Sequence, residues 1–208
     1  KGHTAPGLYR RPGLSFFPWE ELKTLRHIGS RLQGHPNMNE TPGVDMSTGS
    51  LGQAAAAAGM ALAAKYQGKD CRIYTLLGDG EIEEGQPWGF MFAHQYKLDN
   101  LCVIIDNNNL QIDGKITDVM SPTIPEKLRA FGFQVREIDG HDFEQMESAF
   151  DEARATKGVP FAIIMTTIKG KGVSFMEDVA GWHGKAHDEE YKTAMDELKA
   201  RLAEVEGM

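Results

Sequence analysis

Two short apolar runs end abruptly in small or polar residues, and this pattern constrains the fold most strongly. The first run covers residues 73–77 and is followed by G-D-G, and the second covers residues 101–105 and is followed by D-N-N-N. A segment with helical composition lies between them. Continuous apolar runs that alternate with helices are typical of a parallel sheet covered on both faces. We therefore expect neighbouring strands here, with the two polar ends at one edge of the sheet.

The rest of the chain repeats this alternation. Helices are predicted near residues 19–31, 54–65, 83–97, 125–131, 143–156 and 189–205, and strands near 72–77, 101–106, 134–138 and 161–166. The alanine-rich helix at 54–65 predicts a close contact with a sheet or another helix, and a cap from Ser50 or a nearby group. The fold class is α/β, a three-layer α/β/α arrangement with a mainly parallel sheet. Residues 1–208 are predicted to form one domain.

Composition excludes several classes of protein. Apolar residues make up 41% of the chain and charged residues 25%, and the net charge of −8 argues against nucleic acid as a partner. We expect no membrane span, because no apolar run approaches the roughly 18 residues that one needs. The two cysteines, Cys71 and Cys102, flank or lie in apolar strands and are expected to be buried free thiols, which favours a cytoplasmic location.

The two strand ends predict a metal site. Asp79 and Asn108 lie 108 − 79 = 29 positions apart, which leaves room for one crossover helix between parallel neighbours. Carboxylate and amide oxygens are ligands for Mg²⁺ or Ca²⁺, and Mg²⁺ commonly completes its shell with phosphate oxygens and water. Gly78 and Gly80 would let the backbone approach such a phosphate.

Several motifs together resemble one known family. They are K-G-H-T-A-P, G-H-P, S-T-G-S-L-G-Q, G-D-G-E-I-E-E-G-Q, N-N-L-Q-I-D-G, D-G-H-D, T-I-K-G-K-G and W-H-G-K-A. As a set they resemble the N-terminal, diphosphate-binding domain of transketolase, in the form encoded as two separate subunits. The resemblance covers nearly the whole chain. It implies thiamine diphosphate and Mg²⁺ as cofactors, with Ca²⁺ as the alternative metal.

The resemblance also implies roles for individual residues, each on a matching motif position. Metal ligands would be Asp79, Asn108 and the backbone carbonyl of Leu110. Cofactor contacts would come from His3, Gly49, Ser50, Leu51, Gly80, Asn108 and His183. Catalytic roles would fall to His35, which binds donor hydroxyls, His183, which assists proton transfer, and Glu84, which links two active sites. Lys169 would lie near the phosphates.

The chain departs from the family pattern in three places. The upstream part of the domain, including an S-G-H-x-G-G region, is not in this sequence, so we expect the domain to lack its N-terminal segment. Five alanines at 54–58 follow L-G-Q where the family has glycine and a less uniform helix start, and Gly89 stands where the family has an acidic residue. The glutamate that promotes thiamine activation is also expected from a second chain.

The implied function is transfer of a two-carbon ketol group from a ketose phosphate to an aldose phosphate. The implied partner is a second subunit with the pyrimidine-binding and C-terminal domains, in an assembly of two copies of each chain. Two alternatives stay open at this point. One is a related thiamine-dependent synthase, and the other is a non-catalytic half retained for assembly or cofactor binding.

Overall fold

The computed structural model describes residues 1–10, 17–49, 51–184 and 188–207. Within these residues the helices are α1 (Ala5–Tyr9), α2 (Trp19–Leu22), α3 (Gln53–Tyr66), α4 (Trp88–Gln95), α5 (Ile124–Ala130), α6 (Phe143–Ala155) and α7 (Asp188–Glu206). The strands are β1 (Ile73–Gly78), β2 (Leu101–Asn107), β3 (Leu110–Gln111), β4 (Gly114–Lys115), β5 (Gln134–Asp139) and β6 (Phe161–Thr166). None of the described helices has the length and apolar character of a bilayer span.

Four parallel strands form the sheet, in the order β1-β2-β6-β5. The register pairs Gly78 of β1 with Asp106 of β2, and Asp106 with Met165 of β6. The strands therefore end level with one another. β3 and β4 form a separate antiparallel hairpin just beyond the end of β2. The prediction that the two polar strand ends meet at one edge of the sheet is confirmed.

Helices cover both faces of this sheet. Side chains alternate between the two faces along each strand. On one face they pack against α3, α4 and α5 in a cluster that includes Ala57, Ala61, Leu77, Phe90, Val103, Ile105, Leu128 and Ile164. On the other face they pack against α6 in a cluster of Cys102, Ile138, Ala149, Ala153, Phe161 and Ile163. The predicted three-layer α/β/α architecture is confirmed.

The alanine-rich helix α3 lies unusually close to α4. A methyl group placed on Gly89 would lie 2.8 Å from the Cα of Ala55 and 2.9 Å from its Cβ. Ala54, Ala58 and Ala61 are almost fully buried in the same helix. The predicted close contact is confirmed. Two departures from the family pattern, the alanine run and Gly89, are therefore the two sides of one helix contact.

Two predicted helices differ in extent from the observed ones. The helix expected over 19–31 ends at Leu22, because Arg26 and Gly29 adopt positive φ angles of 63° and 81° and the chain turns back on itself. The helix expected from residue 83 begins at Trp88. Pro87 occupies its N-cap, and a separate 3₁₀ turn precedes it.

The two cysteines lie in different environments. Cys102 is buried in β2, and burial raises the pKa of its thiol to about 12. Cys71 is exposed, because it precedes β1 instead of lying inside it. The expectation of two buried thiols is therefore correct for Cys102 and wrong for Cys71.

Candidate functional site

Asp79 connects the segments that follow β1 and β2. The backbone N–H of Asp79 donates to the carbonyl of Asp106 at 3.2 Å, which continues the β1–β2 pairing by one residue. Its Oδ1 accepts the N–H of Gly80 at 2.8 Å, and its Oδ2 accepts the N–H of Asn109 at 2.5 Å. A single side chain therefore bridges the G-D-G and D-N-N-N segments across 30 positions of sequence.

Burial makes this carboxylate a suitable place for a cation. Asp79 is only 1% exposed, and burial raises its pKa although the two backbone N–H groups act in the opposite direction. A buried carboxylate is costly unless a positive group or metal lies near it. Asn108 is buried beside it, with its Oδ1 accepting the N–H of Leu110 at 3.1 Å.

The residues present fit a magnesium ion bound with a diphosphate. A carboxylate and an amide oxygen are hard oxygen donors, and Mg²⁺ commonly fills its remaining positions with phosphate oxygens and water. Among the described residues there is no cluster of three or more His, Cys, Asp or Glu side chains placed for a metal. Of the predicted ligands, the side chains of Asp79 and Asn108 are buried at this edge of the sheet, and the role of the Leu110 carbonyl stays a prediction.

A side chain at Gly80 would crowd Gln111. A methyl group on Gly80 would lie 3.0 Å from the Oε1 of Gln111 and 3.2 Å from its Cβ. A methyl group on Gly78 would lie 3.8 Å from the Cε1 of His3, which is ordinary contact. The backbone at Gly80 is therefore pressed against Gln111, and this position favours glycine.

Three predicted histidines come together from distant parts of the sequence. The ring of His3 lies 5.3 Å from that of His183 and 6.2 Å from that of His35, measured between ring centroids. Burial, then the nearby Lys1, lowers the pKa of His3 to about 4. Burial, followed by the charge of Lys169, lowers the pKa of His183. At neutral pH both rings are uncharged, so each can donate one hydrogen bond and accept another.

The loop predicted to lie under the cofactor packs against His35. The Nδ1 of His35 lies 3.1 Å from the Oγ1 of Thr48, and Gly49 adopts a φ of 109°. A methyl group on Gly49 would lie 3.6 Å from the Cγ of His35. A methyl group on Gly2 would lie 1.8 Å from that same Oγ1. Leu51 is exposed, and the predicted contact Ser50 lies outside the described residues.

Sequence reasoning missed a partly buried ion pair that involves Lys1, close to His3 in the chain. The Lys1 ammonium pairs with the carboxylate of Asp106, and Thr167 donates to the same carboxylate. Burial alone would raise the pKa of Asp106, but Lys1 and the hydrogen bonds from Thr167 and Asn108 together more than offset this, and the pKa is lowered. Burial, together with Lys1, lowers the pKa of Lys169. The sequence offered one indication of this pair, because Lys1 and Asp106 are the first residues of the K-G-H and D-N-N-N motifs.

Gln86 was also missed, and it connects two loops of the site. Its Oε1 accepts the N–H of Ala54 at 2.8 Å, at the start of α3. Its Nε2 donates to the Oε1 of Glu81 at 3.0 Å and to Gln53 at 3.3 Å. Glu81 in turn accepts the N–H of Gly78 at 2.9 Å. The N-cap residue of α3 is Gly52, which has no side chain to cap the helix. Gln86 instead accepts the N–H of Ala54 in the first turn.

Glu84 does not join this cluster. It is exposed at the end of the 3₁₀ turn Gly80–Glu83, and its predicted role in linking two active sites stays a prediction. Two further histidines, His94 and His141, make hydrogen bonds to backbone groups. The Nδ1 of His94 lies 3.1 Å from the carbonyl of Gly132, and the Nε2 of His141 accepts the N–H of Ile168.

Comparison with known proteins places this geometry in a family. The model of the family "Transketolase, thiamine diphosphate binding domain" matches residues 1–202. Subunit SqwG of a 6-deoxy-6-sulfo-D-fructose transketolase from Clostridium sp. (strain MSTE9) is 45% identical over 205 residues, covering 96% of this chain and 74% of that protein. One of the subunits of the apulose-4-phosphate transketolase from Phocaeicola vulgatus is 41% identical over 211 residues, covering 99% of this chain and 75% of that protein.

Longer transketolases match the chain over part of their length. Rat transketolase is 44% identical over 190 residues, which is 89% of this chain and 30% of the rat protein. The crystal structure of transketolase from Campylobacter jejuni aligns with a TM-score of 0.78 and 34% identity, covering 86% of this chain and 30% of that one. The chain therefore belongs to the transketolase family, an enzyme family in which it matches the thiamine diphosphate-binding domain.

Proposed function

We propose that this chain is one subunit of a split transketolase and binds the diphosphate end of thiamine diphosphate together with Mg²⁺. The observation that carries the proposal is the buried Asp79 carboxylate, which bridges the ends of two adjacent parallel strands beside Asn108. In this proposal Asp79, Asn108 and the Leu110 carbonyl hold the metal. Gly80 leaves room for the diphosphate, and the loop of Gly49, Ser50 and Leu51 lies under the cofactor.

The histidine cluster would serve the substrate. Thiamine diphosphate supplies the carbanion chemistry when bound, while the protein binds and orients the reactants. His35 would hold donor hydroxyls, and the neutral His183 would accept and return a proton near the reacting carbonyl. His3, between them, would bind phosphate or substrate. The substrates proposed are a ketose phosphate as the donor and an aldose phosphate as the acceptor.

A second subunit is part of the proposal. Two of the relatives are named as subunits of their transketolases, and this chain matches about three quarters of each. Aromatic side chains on or next to α4 form an exposed patch, because Phe90 is buried whereas Trp88, Phe92 and Tyr96 are exposed. Exposed apolar patches mark interaction surfaces. We propose a partner with the pyrimidine-binding and C-terminal domains, in an assembly of two copies of each chain in the cytoplasm.

The test combines the chain with its partner subunit, thiamine diphosphate and Mg²⁺, and measures ketol transfer from xylulose 5-phosphate to an aldose phosphate. We expect activity only when both subunits, the cofactor and the metal are present. A parallel assay with 6-deoxy-6-sulfo-D-fructose and apulose 4-phosphate as donors would define the substrate. An inactive mixture with every donor, while both subunits are folded and associated, would refute the enzymatic proposal.

A further inference from the structure

The D-G-H-D motif at residues 139–142 forms the turn between β5 and α6. The backbone N–H of Gly140 donates to the carbonyl of Thr166 at 2.8 Å, which continues the pairing of β5 with β6. A methyl group on Gly140 would lie 2.5 Å from the Cγ2 of Thr167 and 2.9 Å from the Cβ of Met165. The turn is therefore packed tightly against the end of β6, and this position favours glycine.

His141 links this turn to the segment that follows β6. The Nε2 of His141 accepts the N–H of Ile168 at 2.9 Å. The backbone N–H of His141 donates to the Oδ1 of Asp139 at 2.8 Å, which holds the turn itself. Ile168 begins residues 168–183, which we call the glycine loop. Only a ring nitrogen without a hydrogen can accept an N–H, so this bond requires the uncharged ring of His141 with its proton on Nδ1.

Hydrogen bonds within the glycine loop connect its two halves. The N–H of Asp178 donates to the carbonyl of Lys169 at 3.0 Å. The indole N–H of Trp182 donates to the carbonyl of Phe175 at 3.0 Å. Because the first residues of the loop are tied to its later ones, a shift at Ile168 would be carried along the loop.

The glycine loop carries two of the residues predicted for the site. Burial lowers the pKa of Lys169, and the charges of Asp106 and Asp79 act in the opposite direction, so its ammonium group lies near the polar edge of the sheet. At the other end of the loop, the ring of His183 lies 5.3 Å from the ring of His3. The orientation of the loop therefore sets the positions of both Lys169 and His183.

Bonds on either side of Ile168 hold the flanking chain. The N–H of Thr167 donates to the carbonyl of Asn107 at 3.1 Å, at the end of β6. The N–H of Ser174, in the middle of the glycine loop, donates to Glu197 of α7 at 2.6 Å. The bond to His141 lies between these two, at the residue where the chain leaves the sheet. Its place in the chain suits it to set the direction in which the loop departs.

We propose that His141 is a positioning residue, which holds Ile168 so that the glycine loop presents Lys169 and His183 to the diphosphate and the substrate. His141 acts through the loop and not by touching the cofactor. This inference rests on the proposed function, because that function places the cofactor beside the loop.

The test replaces His141 in two ways. His141→Leu removes the acceptor of the Ile168 N–H, whereas the Oε1 of glutamine in His141→Gln can accept it. We expect His141→Leu to weaken metal-dependent binding of thiamine diphosphate, in the complex with the partner subunit, by about three- to tenfold, the effect of one hydrogen bond. Amide hydrogens of the glycine loop should also exchange faster in this variant. His141→Gln should restore most of the affinity and most of the protection from exchange.

His94→Leu is the matched control. His94 is another exposed histidine bonded to a backbone group, with its Nδ1 3.1 Å from the carbonyl of Gly132 at the contact between α4 and α5. His94→Leu should leave both the cofactor affinity and the exchange of the glycine loop unchanged. Isothermal titration calorimetry measures the affinity, hydrogen exchange with mass spectrometry measures the loop, and urea denaturation checks that each variant folds.

Three results would overturn the inference. The first is equal affinity and equal loop exchange in the wild type and His141→Leu. The second is a lower unfolding free energy of His141→Leu with unchanged affinity and unchanged loop exchange, which would limit His141 to stabilising its turn. The third is a loss of affinity that His141→Gln does not restore at all. If the wild type with its partner and Mg²⁺ bound no cofactor, the proposed function would be refuted, whereas the exchange data would still show whether His141 holds the loop.

Discussion

Replacing Gly89 by alanine tests the close approach of α3 and α4. The added methyl group would lie 2.8 Å from the Cα of Ala55, a backbone atom that cannot move aside by rotating a side chain. Overpacking of this kind costs about 1–3 kcal/mol of unfolding free energy. In a chain of this size that corresponds to roughly 2–4 °C per kcal/mol in the midpoint of thermal unfolding.

A matched control separates the contact from the general effect of replacing glycine. Gly59 lies inside α3, and a methyl group there would meet nothing within 4 Å. Gly59→Ala should therefore stabilise the protein, by up to about 1 kcal/mol. Adding Ala55→Gly to Gly89→Ala should recover part of the lost stability, because the contact to the Ala55 Cβ disappears and the contact to its Cα does not. Denaturation in urea measures all four proteins. If Gly89→Ala were as stable as the wild type or more stable, the helices would not lie this close.

Three further predictions concern stability, pH and reactivity. Gln86→Ala leaves a buried N–H at the start of α3 without its acceptor, so the unfolding free energy should fall by about 1–3 kcal/mol. Cofactor affinity should fall as well. Unchanged values of both quantities would contradict the role of Gln86 in connecting the two loops. The pKa of His3 is lowered from 6.5 to about 4, so the unfolded chain takes up a proton first and stability should fall as the pH drops from 6.5 towards 4. His3→Gln should flatten this fall in metal-free urea titrations, and an unchanged pH profile would contradict the assignment. A thiol reagent should label Cys71 in the folded chain and leave Cys102 unlabelled until unfolding, and simultaneous reaction of both thiols would contradict the described burial.

The sequence predicted the sheet and its polar edge because both depend on local pattern. Continuous apolar runs placed β1, β2 and β6 to within one residue at each end. Asp142, just before the predicted start of α6, caps this helix by accepting the N–H groups of Glu144 and Gln145. The α7 range was predicted to within one residue at each end. The three site histidines were found by family motifs, since their proximity in space is invisible in a linear pattern.

The errors have physical causes that act over long range. The helix predicted over 19–31 had the right apolar spacing, but Leu32 is buried with Ala5 and Tyr9 in a small cluster that requires the chain to turn back. Gln86 and Lys1 were missed because their importance comes from burial and from partners that are distant in the sequence. A polar side chain in a loop carries no signal of this kind until the fold is known.

Metal-dependent binding of thiamine diphosphate tests the central claim most directly. Calorimetric titration of the cofactor into the chain with its partner subunit, with and without Mg²⁺, should show binding that requires the metal. Asp79→Ala should abolish the metal-dependent binding and leave the circular dichroism spectrum unchanged, whereas Asp113→Ala, an exposed carboxylate in the nearby hairpin, should bind like the wild type. If Asp79→Ala bound the cofactor with Mg²⁺ as tightly as the wild type, the assignment of this strand end as the metal and diphosphate site would be wrong.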